Sequence, residues 1–350
     1  MRSYNVTGNV KNDFNNKLLN WYQSNKRDLP WRRIQDPYLI WISEIILQQT
    51  RINQGRPYYL RFIKKYPDIY KLANAEEEDI LALWQGLGYY TRARNMHKCA
   101  RIIVNECEGN FPSSFNELKK LPGIGTYTAA AMASISFNEP IAVMDGNVFR
   151  VLARFFGIKQ NPETATGKKI FNKTAQHHIA PDQPGEYNQA VMEFGAMHCT
   201  PSNPNCNTCI LNLDCFAYKN DMQSILPVKY PKKKSRLRYF HYLIISIDDS
   251  ILMKKRDGLY DFYLEESDSS RKIKFEELHG WPSEILHNGE KIEFVSKEMI
   301  HVLTHQKIHG RFYHLHIKNK KNQGFIEANN EYKFYKRLKI NDLPKSMFIT

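Results

Sequence analysis

No stretch of this 350-residue chain approaches the roughly 18 consecutive apolar residues that a membrane-spanning helix needs. Residues 1–14 alternate polar and charged types without an apolar core, so no secretory signal is expected. An intracellular, cytoplasmic protein with no membrane partner is the expectation. No internal repeat is visible, which argues against a solenoid. Acidic residues are comparatively few: 36 Asp and Glu stand against 50 Lys and Arg, a formal net charge of +14. Such a balance favours a polyanionic partner, nucleic acid ahead of an anionic membrane. Six cysteines in a reducing compartment read as ligands or buried thiols rather than disulfides. What is present suits folding: 42% hydrophobic and 13% aromatic residues suffice for buried cores, and the length suggests two domains.

Residues 1–225 read as helical. Apolar residues recur at helical spacing in Phe14, Leu18, Leu19 and Tyr22, in Tyr38, Trp41, Ile42, Ile45 and Ile46, and in Ile80, Leu83 and Trp84. Asp36-Pro37 opens one helix, and Tyr66-Pro67 follows the end of another. The run Glu76, Glu77, Glu78, Asp79 reads as a solvated first turn that suits the helix dipole. Residues 226–238 carry Lys229, Lys232, Lys233, Lys234, Arg236 and Arg238 with two prolines, an extended basic linker that either tethers or touches phosphate. Residues 239–350 turn toward strands, at 239–247, after a turn at Asp248-Asp249-Ser250, and again at 311–317. They predict a smaller α+β domain.

Cys199, Cys206, Cys209 and Cys215 follow the pattern C-x6-C-x2-C-x5-C in a loop bent by Pro201 and Pro204. Four thiolates in one short loop require a metal to offset their charge, and both zinc and an iron–sulfur cluster accept them. Cys99 and Cys107 lie in a helical stretch and read as core. Residues 121–131, Leu-Pro-Gly-Ile-Gly-Thr-Tyr-Thr-Ala-Ala-Ala, join an apolar stripe of Phe115, Leu118 and Leu121 to an Ala-rich helix. Gly123 and Gly125 let backbone N–H groups approach a ligand at that helix's N-terminus, which suits a DNA phosphate. An ordinary helix–helix turn is the alternative.

Two carboxylates stand in contexts that raise chemistry. Glu44 has Ile40, Trp41, Leu47 and Gln48 as its helical neighbours. A carboxyl on that face is either paired in a buried salt bridge or protonated, and desolvation suits it to general acid work. Asp145 lies between an apolar segment and an amphipathic helix. It reads as an N-cap, as a second carboxylate facing positive charge on a reacting sugar, or as both.

Together these strings resemble the endonuclease III-like superfamily of helix-hairpin-helix DNA glycosylases, and within it the MutY-type adenine DNA glycosylases. The likeness is close over residues 14–220 and looser over 225–350. It implies a mostly α helix-hairpin-helix glycosylase domain (1–225) with an iron–sulfur loop. A linker (226–238) and a smaller α+β, MutT-like (Nudix-fold) domain (239–350) follow. The four-cysteine spacing is that of the family's [4Fe–4S] loop, which favours iron over zinc. Residues 144–148, Met-Asp-Gly-Asn-Val, match the segment of the catalytic aspartate, and residues 41–50 resemble that of the catalytic glutamate. The position just after the hairpin, a Schiff-base lysine in bifunctional relatives, is Tyr127 here and cannot form an imine.

The resemblance therefore implies a monofunctional enzyme, a monomer acting on double-stranded DNA at adenine paired with 8-oxoguanine or guanine. Glu44 is its general acid, Asp145 stabilises an oxocarbenium-like state, and Tyr127 assists. Gln49 resembles the side chain wedged into the stack beside the lesion. Leu87 and Tyr89 resemble residues that probe near the orphaned base. Trp31 and Arg32 resemble the lining of an adenine pocket, and Gln189, on the helix with Glu193, a reader of the adenine edge. The C-terminal domain resembles the module that recognises 8-oxoguanine and lacks the acidic Arg-Glu-x-x-Glu-Glu string of pyrophosphate hydrolysis. Within it Leu303-Thr304-His305 aligns with a Phe-Ser-His recognition loop, so Thr304 and His305 are the expected lesion contacts.

Overall fold

Two helices apolar on nearly every side organise the N-terminal part of this computed structural model. It describes residues 8–229, 235–267, 292–302, 306–317, 332–340 and 343–345. The chain divides into two units, Met1–Asn74 with Lys98–Pro231 and Ala75–His97 with Lys232–Thr350. The helices in chain order are α1 (Gly8–Asn25), α2 (Pro37–Leu47), α3 (Ile52–Lys65), α4 (Ile69–Ala73), α5 (Glu77–Trp84) and α6 (Thr91–Glu106). They continue with α7 (Phe115–Leu118), α8 (Thr126–Phe137), α9 (Gly146–Phe156), α10 (Ala165–His178), α11 (Pro184–Met197) and α12 (Phe216–Lys219). Among the described residues no helix is long and apolar enough to cross a membrane.

In the first unit α2 and α8 are the central pair. Asp36 opens α2 by accepting the amides of Tyr38 (2.8 Å) and Leu39 (3.1 Å), with Pro37 in the first turn. Every residue of α2 from Ile40 to Ile46 is buried, Ser43 and Glu44 included. In α8 the small residues Ala129, Ala130, Ala131 and Ala133 let α2 and α11 pack closely against it. The hairpin before α8 is shorter than its apolar stripe suggests. α7 ends at Leu118, and Leu121 lies in the turn, where Ile124 N–H donates to its carbonyl. Gly123 adopts φ +77°, a left-handed conformation that a side chain disfavours. Gly125 is extended and meets nothing within 4 Å where a Cβ would stand, so its use is an open outer face rather than a special dihedral.

α9 and α11 cross where Gly195 meets Asn147: a Cβ on Gly195 would stand 2.7 Å from Asn147 Cβ and 3.0 Å from its carbonyl oxygen. That close approach fixes the start of α9, the helix capped by Asp145.

In the second unit the strands are β1 (Arg236–Ile247), β2 (Ser250–Arg256), β3 (Leu259–Asp261), β4 (Tyr263–Ser267), β5 (Ile292–Val295), β6 (Met299–Val302), β7 (Gln306–His316) and β8 (Tyr332–Lys336), followed by α13 (Arg337–Ile340). They form one mixed sheet of order β3-β2-β1-β7-β5, with β4 on β1, β6 on β7 and β8 on β2. β1 and β7 run parallel, with Tyr242 opposite Phe312, and the other pairs are antiparallel. β1 is buried on both faces: Leu243, Ile245 and Ile247 join one apolar cluster, Phe240 and Tyr242 another. The strand starts at Arg236, inside the expected linker, because Arg236 and Leu237 pair with β7 and Arg238 is neutralised by Glu266 (Nε to Oε1 2.6 Å). The acidic run at α5 is more than a solvated turn. Glu78 accepts from Lys255 Nζ (2.7 Å) and Tyr260 OH (3.1 Å), so α5 is tied to β2 and β3.

Gly195→Ala is expected to lower unfolding stability by roughly 1–3 kcal/mol, as overpacking does in a core without slack. Chemical denaturation measures it, and an unchanged midpoint would contradict the close approach of α9 and α11.

Candidate active site

A cavity of about 720 Å³ opens in the first unit between α2, α8, the start of α9 and α11. Glu44 reaches it from the buried run of α2, Tyr127 from the first turn of α8, and Asp145 from the N-cap of α9. Burial pushes the Glu44 carboxyl up to about 7. The hydrogen bond with Tyr127 and the Arg32 charge oppose that rise, and Asp145 adds to it. Tyr127 hydroxyl also lies 3.3 Å from Met192 Sδ, and burial raises its pKa. Asp145 accepts the Val148 amide at 2.7 Å and the Asn147 side-chain N–H at 2.8 Å. It is therefore a helix cap and a cavity-lining carboxylate at once. Burial lifts its pKa above the ordinary value while these two donors hold it back.

The opposite wall is polar and tightly paired. Glu193, fully buried on α11, receives Arg27 through its backbone N–H (3.0 Å), Nε (2.8 Å) and one guanidinium N–H (2.6 Å). Arg32 adds a further donor at 2.7 Å. Burial pushes the Glu193 pKa up, yet these donors outweigh it and leave the group below the usual carboxylate value, hence ionised. Gln189, one turn earlier on α11, accepts from Tyr22 hydroxyl at 2.8 Å. Trp31 packs edge-on to Tyr59 with ring centroids 5.1 Å apart and supplies an apolar surface.

Behind Asp145 runs a chain of hydrogen bonds. Arg150 donates to the side-chain oxygen of Asn147 (2.8 Å), to the carbonyls of Gly195 (2.6 Å) and Gly146 (3.2 Å), and to the carbonyl of Cys199 (2.7 Å). Asn147 passes this on to Asp145. Cys199, Cys206, Cys209 and Cys215 are free thiols that line one small cavity with Arg154, whose guanidinium lies 3.4 Å from Cys199 Sγ. Four thiols around a common space, faced by a fixed positive charge, fit a thiolate-bound group. Among the described residues no three potential ligands are arranged to hold a single ion. A zinc ion with bonds of about 2.3 Å needs its sulfurs drawn to one point.

The other expected site residues fall out variously. Gln49 is exposed at the end of α2 with φ +57° and lines the cavity mouth with Gly125. The first turn of α8 has no side-chain cap, so its amides are open to an anion beside Gly123 and Gly125. In the second unit Tyr89 is 39% exposed with φ +49°, whereas Leu87 is 5% exposed and packs as core. Thr304 and His305 lie outside the described residues. Sequence reading missed Tyr22, Asn147, Arg150 and Met192. A Tyr at a core-periodic position and an Asn or Arg in a helix's first turn look structural until the partner is seen. The spacing of Arg27 and Arg32 around Leu29-Pro30-Trp31 was the available signal for the ion pair.

The hairpin and the carboxyl-lined cavity define a base-excision scaffold: residues 42–176 match the HhH-GPD superfamily of base excision DNA repair proteins. The chain is 40% identical over 249 residues to the adenine DNA glycosylase of Buchnera aphidicola subsp. Baizongia pistaciae, spanning 70% of each chain. It is 41% identical over 213 residues to that of Homo sapiens, spanning 58% of this chain and 39% of the human one. The chain belongs to the adenine DNA glycosylase family and is an enzyme of the MutY type. Among solved structures, that of a thermostable thymine-DNA glycosylase aligns with a TM-score of 0.57 at 28% identity, over 62% of this chain and 100% of the other. A non-covalent endonuclease III–DNA complex aligns at 0.53 and 22%, over 62% and 99%, a likeness of fold alone.

Arg150→Met removes the donor from the buried carbonyl of Gly195, from the carbonyls of Cys199 and Gly146, and from Asn147. A loss of about 3 kcal/mol or more in unfolding stability is expected. A change within about 0.5 kcal/mol in denaturant titration would mean that these groups find other partners.

Proposed function

We propose that this enzyme removes adenine paired with 8-oxoguanine or guanine in duplex DNA and leaves an abasic site without cutting the strand. The observation that carries the reading is a buried carboxyl, Glu44, raised to about 7 in a cavity roomy enough for a flipped base and lined as well by the ionised Glu193. The duplex backbone rests on the amides around Gly123 and Gly125. The adenine turns out of the stack into the cavity, with Gln49 filling the space it leaves. Trp31 stacks against the base.

Protonated Glu44 gives its proton to adenine N7. The bond from N9 to C1′ then breaks with its electron pair moving to the base, and the sugar gains oxocarbenium character. Asp145, ionised and held in place by Val148 and Asn147, stabilises that positive charge. Water bonds to C1′ and yields its proton to the Glu44 carboxylate, which restores the acid. Tyr127 orients Glu44 through their shared hydrogen bond, and having no amine it forms no imine with the sugar.

Cys199, Cys206, Cys209 and Cys215 would hold a [4Fe–4S] cluster, which when bound orders the loop after α11 and supplies no step of the hydrolysis. The strand-rich domain is the reader of 8-oxoguanine in this account, as a MutT-like fold without its hydrolytic acids, with Thr304 and His305 as contacts.

The test is single-turnover incubation with duplexes carrying adenine opposite 8-oxoguanine, adenine opposite guanine, or an oxidised pyrimidine, each with and without hot alkali. Cleavage only at adenine, and only after alkali, is the expected outcome. Strand cutting at the pyrimidine without alkali would overturn the reading. Glu44→Gln should retain DNA affinity and lose about a hundredfold or more of the excision rate. Near wild-type excision would remove Glu44 from the acid role.

A further inference from the structure

Tyr22 lies on α1, 2% exposed, and touches none of the reacting atoms in the account above. Its hydroxyl is the middle of a three-part chain. Arg32 donates to it at 2.8 Å, and it in turn stands 2.8 Å from the amide oxygen of Gln189. A guanidinium only donates, so the phenol oxygen must accept from Arg32 and has one proton left to give. The group it meets on Gln189 is the amide oxygen, which only accepts and so takes that proton. The Gln189 NH2 is thereby turned away from Tyr22, and no acceptor among the described residues takes it. Gln189 lines the cavity, as does Glu193 four residues later on the same face of α11.

We infer that Tyr22 is a positioning residue that sets the donor and acceptor pattern of the cavity and so selects which purine it accepts. The inference rests on the proposed adenine excision and deepens it. Arg32 and Arg27 keep Glu193 an acceptor only. Tyr22 keeps Gln189 a donor toward the cavity. With N7 taken by Glu44, adenine offers its N6 amino donor and its ring N1 acceptor, which complement Glu193 and Gln189 in turn. Hypoxanthine reverses both groups: its O6 accepts and its N1–H donates, so each would face its like. A site whose buried polar groups are directed in this way rejects the mismatched base through unpaired groups rather than through shape.

The experiment measures single-turnover excision by the full chain of adenine and of hypoxanthine, each opposite 8-oxoguanine, for wild type, Tyr22→Phe and Gln189→Glu. Phenylalanine keeps the ring and frees the amide to rotate. The adenine-to-hypoxanthine rate ratio is expected to fall about tenfold in Tyr22→Phe, equal to about 1.4 kcal/mol. It should fall further in Gln189→Glu, where a carboxylate replaces the donor. Because each variant is compared with itself on two bases, a packing defect lowers both rates together and leaves the ratio alone. An unchanged ratio in folded Tyr22→Phe would overturn the inference. If Tyr22→Phe shows no cooperative unfolding, Gln189→Glu decides by the same ratio. A wild type that releases adenine from neither mispair would instead sink the proposed function itself, and this inference with it.

Discussion

Everything at this site follows from placing a carboxyl group where water is scarce. α2 must be apolar on nearly every side to sit at the centre of the first unit, and Glu44 is carried into the interior by that requirement. The cost of ionising it there exceeds what Tyr127 and Arg32 return, so the group stays near neutrality instead of becoming a surface acid. The neighbours are then chosen by what they do to that balance. Tyr127 contributes a hydrogen bond without a charge. Asp145, tied by Val148 and Asn147, is a second carboxylate on the same cavity, the one proposed to face a cationic sugar.

The charges around the cavity are paired in a way that leaves directed groups facing inward. Glu193 is fully buried and survives as an anion only because Arg27 and Arg32 satisfy both its oxygens. Arg150 satisfies carbonyls at the ends of two helices and the loop at Cys199, and holds Asn147 in the orientation that serves Asp145. Loss of order at the cysteine loop would therefore be felt at Asp145 through hydrogen bonds that are continuous from one to the other. The bare glycine at 195 is part of the same arrangement, since it lets α11 and α9 come close enough for Arg150 to span them.

Much of this was legible in the sequence where one residue's context is local. The apolar neighbours of Glu44, the Pro-Gly-Ile-Gly turn, the spacing of the four cysteines and the capping position of Asp145 are each defined within one short stretch of chain. Partners distant in the chain were not legible. Tyr22 meets Gln189 across 167 positions and Arg27 meets Glu193 across 166, and neither pairing leaves a periodic trace. The fold was readable to the same degree. Helical spacing marked α2, aromatic and β-branched residues marked β1, and residues 311–317 stood as a strand candidate where the second half of β7 lies. The tie from Glu78 to Lys255 and Tyr260 depended on a contact that no local pattern announces. Leu87 and Tyr89 are two residues apart in one glycine-rich segment, yet one is core and the other exposed, because the alternation there follows left-handed turns at Gly86, Gly88 and Tyr89 rather than any regular period.

The proposed acid role of buried Glu44 is tested most directly by the pH dependence of single-turnover adenine excision opposite 8-oxoguanine. A carboxyl raised to about 7 is protonated below that pH and progressively ionised above it. The excision rate should therefore hold near neutrality and fall about tenfold for each pH unit well above 7. A rate that stays level or climbs from pH 7 to about 9 would mean that protonated Glu44 is not required, and the acid mechanism would have to be given up.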